Sequence, residues 1–211
     1  MPGVKERPIL FSDEMVRAIL EGRKSQTRRV LKYQLPSGVE VKSVAPWADG
    51  LYRIEHTPDP LPGGGQIIAA RVCCPYGVPG DRLWIRESWS CADPKREAEY
   101  PAAGEQDVYY RATESYPDQL RWRPSIHMPR WASRLILELT DVRVERLQEI
   151  SEEDAKAEGV TLVCMKGWEE SRKYRIRFHE VWDELNAKRG FGWARNPWVW
   201  ILTFKRVEEG T

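Results

Sequence analysis

Histidine is scarce in this chain, with three in 211 residues, and the four cysteines Cys73, Cys74, Cys91 and Cys164 include no C-x-x-C pair. Adjacent Cys73 and Cys74 cannot easily both turn toward one ion on ordinary strand geometry, so reduced thiols are expected and a structural metal is not. Long apolar runs are lacking too. Trp198 to Leu202 is the longest aromatic and aliphatic stretch, far below the about 20 residues of a membrane helix. Met1 to Leu10 has no apolar core of signal-peptide length, and a cytoplasmic protein is expected. Nor is there an excess of one charge: 33 basic against 32 acidic residues give a formal charge of +1. Long-range capture of nucleic acid by a global field is thereby excluded, and any such affinity must come from a local patch. The run Gly63-Gly64-Gly65 is not followed by the Gly-Lys-Ser/Thr that opens a phosphate-cradling helix, and it reads as a hairpin or loop tip. No cofactor is implied.

What is present suffices for one sizeable core, at 41% hydrophobic and 31% charged residues, and the chain reads as a single domain, residues 1–211, with excursions around 33–66 and 90–130. The pattern is α+β. Ser12 can cap a helix over residues 13–21, with Met15, Val16, Ile19 and Leu20 on its apolar face and Gly22 as its stop. Short strands are expected near 39–44, 51–55, 67–72 and 82–87, the last two separated by the turn-rich segment 75–81. Leu135, Leu137 and Leu139 alternate, but Val142 and Val144 have switched parity around Thr140-Asp141, which predicts a bulge or corner. Ser151 opens a short helix that Gly159 closes, and Phe178, Val181, Trp182 and Leu185 mark a longer one over about residues 168–188. Trp198 to Phe204 is apolar on both faces, as an interior strand would be.

The segment Gly22-Arg23-Lys24-Ser25-Gln26-Thr27-Arg28-Arg29 places a lysine and a threonine three residues apart among arginines. Such a segment suits an anionic partner, and a lysine crowded by cations is a candidate base because like charges favour its neutral form. The competing reading is a solvated basic run that merely complements a helix C-terminus. At the end of a helix, Lys24 is expected to carry little core packing. A second segment, Arg121 to Trp131, alternates basic and aromatic residues between Pro124 and Pro129, as a rigid lid would. Trp84, Trp122 and Trp131 could stack a base, with Arg123 beside them, although core packing competes for each tryptophan. Asp81 and Glu87 read as turn-capping and strand-edge ion-pairing residues.

Gly22 to Arg29, then Gly80-Asp81-Arg82-Leu83-Trp84, Leu147 to Gly159, Phe178 to Trp182 and Trp198 to Phe204 together resemble the ASCH domain family, which is related to the PUA domain of RNA-modifying proteins. These pieces span nearly the whole chain and cover about half of it. The longer form, with Trp122 to Trp131 before the long strand, resembles ASCH proteins carried by phages and prophages. The resemblance implies a PUA-like mixed β-barrel of about five or six strands with flanking helices and loop insertions. Within that family, short bacterial N4-acetylcytidine amidohydrolases use a Lys, Thr and Glu triad, which falls here on Lys24, Thr27 and Glu158. Gln26 and Arg28 depart from the apolar residues those enzymes carry.

The triad makes chemical sense for hydrolysing an amide on an exocyclic amine. Thr27 would supply a hydroxyl or position a water, neutral Lys24 would take the proton, and the two should lie within hydrogen-bonding reach or one water apart. Arg23, Arg28 and Arg29 would lower the lysine pKa and bind substrate, while Glu158 would raise it. The function expected on this basis is hydrolysis of modified pyrimidine nucleosides, most concretely of N4-acetylcytidine. A non-catalytic module binding single-stranded RNA or another nucleic acid, and a phage accessory protein binding another protein, remain alternatives. A small ligand or short single strand suits the charge balance better than a generic duplex does. No membrane partner is expected.

Overall fold

A computed structural model describes residues 3–35, 39–46, 51–56, 68–91, 108–115, 120–162 and 173–207. Ten strands and three α-helices follow in chain order among them: β1 (Glu6–Leu10), α1 (Asp13–Leu20), β2 (Gln26–Val30), β3 (Val41–Pro46), β4 (Leu51–His56), β5 (Ile68–Cys73), β6 (Arg82–Arg86), β7 (Trp89–Cys91), β8 (Val108–Tyr110), β9 (Ile136–Arg146), α2 (Glu152–Ala157), α3 (Lys173–Asn186) and β10 (Trp198–Val207). The fold is mixed α+β. Its main sheet has the order β1-β6-β9-β10-β2, with β1 parallel to β6 and every other pair antiparallel.

β10 is interior because both of its faces are apolar. Trp198, Trp200, Leu202 and Phe204 enter the larger core with Leu137, Leu139, Val142 and Val144 of β9, and Tyr52 meets the Trp200 ring edge-on at 5.2 Å. Val199 and Ile201 point the other way, into a second core with Leu147, Ile150, Ala155, Phe178 and Trp182. The parity switch in β9 is a β-bulge: Thr203 pairs with Asp141 and Phe204 with Leu139, so Thr140 has no partner in the ladder.

The expected closed barrel is not made by backbone pairing among the described residues. The main sheet keeps two edges, β1 and β2, because α1 carries the chain from one edge to the other. A side chain crosses this seam. Arg29 of β2 donates to the Leu10 carbonyl at the end of β1 at 2.6 Å and lies over the Phe11 ring at 5.1 Å.

The first excursion, with β5, forms a separate antiparallel sheet of order β3-β4-β5 whose Tyr52 and Ile54 join the larger core. In the second, β7 pairs with β8 over a satellite core of Trp89, Met128 and Ala132. The Gly63–Gly65 run, Cys164 and the expected helical residues 168–172 lie outside the described residues. No helix among the described residues is long and apolar enough to cross a membrane, and no group of three or more His, Cys, Asp or Glu residues is placed there to hold a metal.

Candidate functional site: a buried charge cluster beside an open cleft

α1 ends as its sequence requires. Gly22 adopts φ +72°, and the Arg23 and Lys24 N–H groups both donate to the Ala18 carbonyl, at 2.8 and 3.0 Å. The chain then meets the end of α2. The Ser151 hydroxyl accepts from the Asp154 N–H at 3.0 Å at the start of that short helix, and Gly159 ends it at φ +77°. A Cβ on Gly159 would stand 2.6 Å from Lys24 Cβ and 2.9 Å from Ala18 Cβ, so only glycine lets the two chain segments approach this closely. Lys24 and Glu158 form an isolated antiparallel bridge, and the Ser25 N–H donates to the Ala157 carbonyl at 2.9 Å.

The Lys24 side chain has no exposed surface. Its ammonium donates to Glu158 Oε2 at 2.8 Å, to the Glu158 carbonyl at 2.7 Å and to the Gln26 carbonyl at 2.8 Å. It therefore closes the C-terminus of α2, where a carbonyl lacks a helical partner and a positive charge is favoured. The other carboxylate oxygen, Glu158 Oε1, accepts from Arg28 at 3.3 Å, and Arg28 also donates to Asp154 at 2.8 Å and to the Gln26 side-chain oxygen at 2.7 Å. Two cations thus face two carboxylates. Burial pushes the Lys24 pKa below its ordinary value against the pull of Glu158, and Arg29 and Arg28 push it further down. Arg23 instead turns outward, to Glu21 at 2.6 Å and to the Gly159 carbonyl at 2.9 Å.

The expectation that Lys24 carries little packing is corrected: it is 3% exposed, because α1, β2 and α2 close around it. Gln26 and Arg28, which stood out as departures from the family pattern, are the second arm of the cluster. Thr27 and Lys24 share no hydrogen bond. Thr27 lies opposite Leu202, whose side chain is in the larger core, whereas Gln26 and Arg28 lie opposite Thr203 and Ile201 on the other face of the sheet.

A cleft of about 340 Å³ runs along the β1/β2 seam against α3, and Thr27, Arg28, Arg29 and Glu158 all line it. Its volume falls in the range of about 300–1,000 Å³ usual for small-molecule sites. Leu10, Met15, Val181 and Leu185 supply apolar wall, and Tyr76, Asn186 and Arg189 supply polar groups. The apolar stripe of α3 divides accordingly. Phe178 and Trp182 are buried, while Leu185 is 50% exposed and faces the cleft.

Trp84, Trp122, Arg123 and Trp131 do not line this cleft. Trp84 is a strand residue of β6 with the Arg86 guanidinium over its ring at 5.5 Å. Trp131 packs edge-on against Trp89 at 5.8 Å, and Arg123 lies over the same Trp89 ring at 5.1 Å. The expected lid is fastened down: Ser90 donates to the Arg121 carbonyl at 3.0 Å, Arg86 to the Ile126 carbonyl, and Arg130 to Glu6 at 2.9 Å. Asp81 and Glu87 pair as expected, Asp81 with Arg7 at 2.7 Å and Glu87 with Arg134 at 3.0 Å through each oxygen.

Sequence reasoning missed Gln26, Asp154, Tyr76 and Arg189. Asp154 carried a usable signal, since it lies one helical turn before Glu158 on the same face of α2. Tyr76 sits in a turn and Arg189 in a 3-10 turn after α3, and neither had one. Compared with family models, with curated proteins and with solved structures, the chain matches none.

Proposed function

We propose that this protein is a hydrolase that cleaves an acyl group from the exocyclic amine of a modified pyrimidine nucleoside, N4-acetylcytidine being the concrete candidate. One observation carries the reading: Thr27 and Glu158, from segments far apart in sequence, line the same cleft, and Glu158 is gripped by Lys24 at 2.8 Å. The family resemblance had named the same three residues. The roles follow from the cleft lining, which includes Thr27 and Glu158 and not Lys24. Lys24, with no exposed side-chain surface, acts through Glu158 as a positioning residue and proton reservoir, while Glu158 and Thr27 touch substrate. Thr27 holds or supplies the attacking oxygen, whose proton passes to the Glu158 carboxylate and on to the leaving amine as the acyl C–N bond breaks. The second proton of the water that completes hydrolysis leaves with the carboxylic acid formed. Arg28 holds Glu158 Oε1 in place at 3.3 Å, and the apolar wall from α3 keeps bulk water from competing with a stacked base.

The test is direct. The wild-type protein should release acetate and cytidine from N4-acetylcytidine, and Glu158→Gln should lower kcat by at least about 10²-fold, the lower end of general acid–base contributions. Thr27→Ala should be as severe if its oxygen attacks and milder if it orients water. Absence of acetate release from any acylated cytidine sinks the hydrolase reading.

A second reading has its own observation. Three oxygens within 2.8 Å saturate the Lys24 ammonium, as a structural clamp would require. The protein would then be a non-catalytic binder of a nucleotide or short single strand through Arg28 and Arg29, and its affinity would fall with salt while no acyl group is released.

A further inference from the structure

The cleft carries more positive charge than its carboxylates balance. Lys24 and Arg28 are matched by Glu158 and Asp154. Arg29 and Arg189 are not: among the described residues neither has a carboxylate within ion-pair distance. Arg29 donates to the Leu10 carbonyl alone, and its Nε is buried with no partner. Arg189 donates to Asn186 Oδ1 at 3.3 Å, and Asn186, itself buried, is fixed by its bond to the Trp182 carbonyl at 3.1 Å. Both guanidinium groups line the same cleft. Burial pushes the Arg29 pKa down against the pull of Tyr76 and Glu158, and the Arg189 charge adds a smaller push in the same direction as burial, so the two like charges feel one another across the cleft.

A half-buried guanidinium with a buried, idle Nε–H and no ion-pair partner gains from the arrival of an anion. The anion that best fits two planar forks is a phosphate group, which accepts paired hydrogen bonds and carries up to two charges. We propose that Arg29 and Arg189 form a phosphate-binding subsite, so that the ligand of the cleft is a nucleoside monophosphate and not a free nucleoside. This rests on the cleft being the substrate site and deepens that reading, because it assigns the end of the substrate that does not react. Asn186 sets the angle of Arg189, and the Phe11 ring supports Arg29 from behind at 5.1 Å. A terminal phosphomonoester offers three free oxygens and up to two charges to the two guanidinium groups, whereas a diester within a strand carries a single charge and must also find room for the next nucleotide.

Calorimetric titration of the full chain with cytidine, cytidine 5′-monophosphate, inorganic phosphate and the dinucleotide CpC, which lacks a terminal phosphate, separates these cases. The monophosphate should bind at least about tenfold more tightly than cytidine, inorganic phosphate should compete with it, and CpC should show no such advantage. Arg189→Gln, at an exposed position, should shrink the monophosphate preference, and Arg29→Gln should remove it. A melting curve checks that each variant folds, and Arg189→Gln decides alone if Arg29→Gln does not. Equal affinity for cytidine and its monophosphate, or no binding of either, overturns the subsite, and CpC binding as tightly as the monophosphate replaces it with a strand-binding groove. Turnover of N4-acetylcytidine without phosphate preference overturns this inference alone. Phosphate preference without turnover of any acylated cytidine overturns only the hydrolase reading.

Discussion

With no exposed side-chain surface and three oxygens within 2.8 Å, the Lys24 ammonium ties the end of α2 to the start of β2 by charge and by hydrogen bonds together. Removing one partner of such a buried pair costs about 3–5 kcal/mol, because the other charge stays behind uncompensated. Lys24→Met and Glu158→Gln should each destabilise the fold by about that amount, measured by urea denaturation. The double variant should lose less than the sum of the two by more than about 1 kcal/mol, since the second substitution removes the stranded charge. Additive losses would mean that Lys24 and Glu158 are held independently. A second residue-scale effect follows from Asp81. Burial tends to raise its pKa, but N–H donors from Lys5 and Val78 and the Arg7 guanidinium outweigh this and hold it below the ordinary 3.8. A carboxylate with a depressed folded pKa contributes stability above its unfolded pKa and loses that contribution as pH falls through the folded value. The stability gap between wild type and Asp81→Asn should therefore be constant above about pH 5 and narrow below about pH 4. A gap independent of pH would assign Asp81 a role that does not depend on its charge.

At the scale of elements, Gly159 is the narrowest point of the fold near the site. Its φ of +77° and the 2.6 Å that would separate a new Cβ from Lys24 Cβ both oppose any other residue. Gly159→Ala should cost more than the about 1–2 kcal/mol of the left-handed backbone alone, because α2 must also move off Lys24. Thermal melting gives the stability loss, and restored melting in Gly159→Asn, which tolerates this backbone but not the crowding, would argue against the packing part. Local signals of this kind were legible in the sequence. Ser12 and Ser151 named their helix starts, Gly22 and Gly159 the stops, and the parity break at Thr140-Asp141 the bulge, because each leaves its signal within a few residues of chain. The burial of Lys24, Gln26 and Arg28 was not legible, since it depends on α2 docking from 134 positions away. Leu185 misled for a related reason: its place on an apolar stripe is local, but whether core or cleft faces that stripe is decided by where the β1/β2 seam lies. The tryptophans around residue 122 were read by composition, and composition does not distinguish a satellite core from a binding face.

For the whole molecule, a formal charge of +1 supplies no general field, so anions are drawn by local groups such as the cleft arginines. On the non-catalytic binder reading, binding of a short single strand should therefore involve about two or three phosphates, giving a log–log salt slope of about −1.4 to −2.1 at about −0.7 per contact. Filter binding between low and moderate salt measures it. A slope several times steeper would require a basic surface beyond this cleft.

The strand order carries a consequence for the life of the chain before it is complete. Among the described residues β2 forms its ladder only with β10, which begins at Trp198, so the segment bearing Thr27, Arg28 and Arg29 has no sheet to join until β10 too has left the ribosome. β1 and β6 can pair much earlier. During synthesis, at about 5–20 residues per second, the basic segment waits for many seconds as an unpaired strand with its arginines in water. The cleft is thus completed later than the β1–β6 edge of the sheet. Pulse-labelling hydrogen exchange during refolding should find the β2 and β10 amides protected after those shared by β1 and β6.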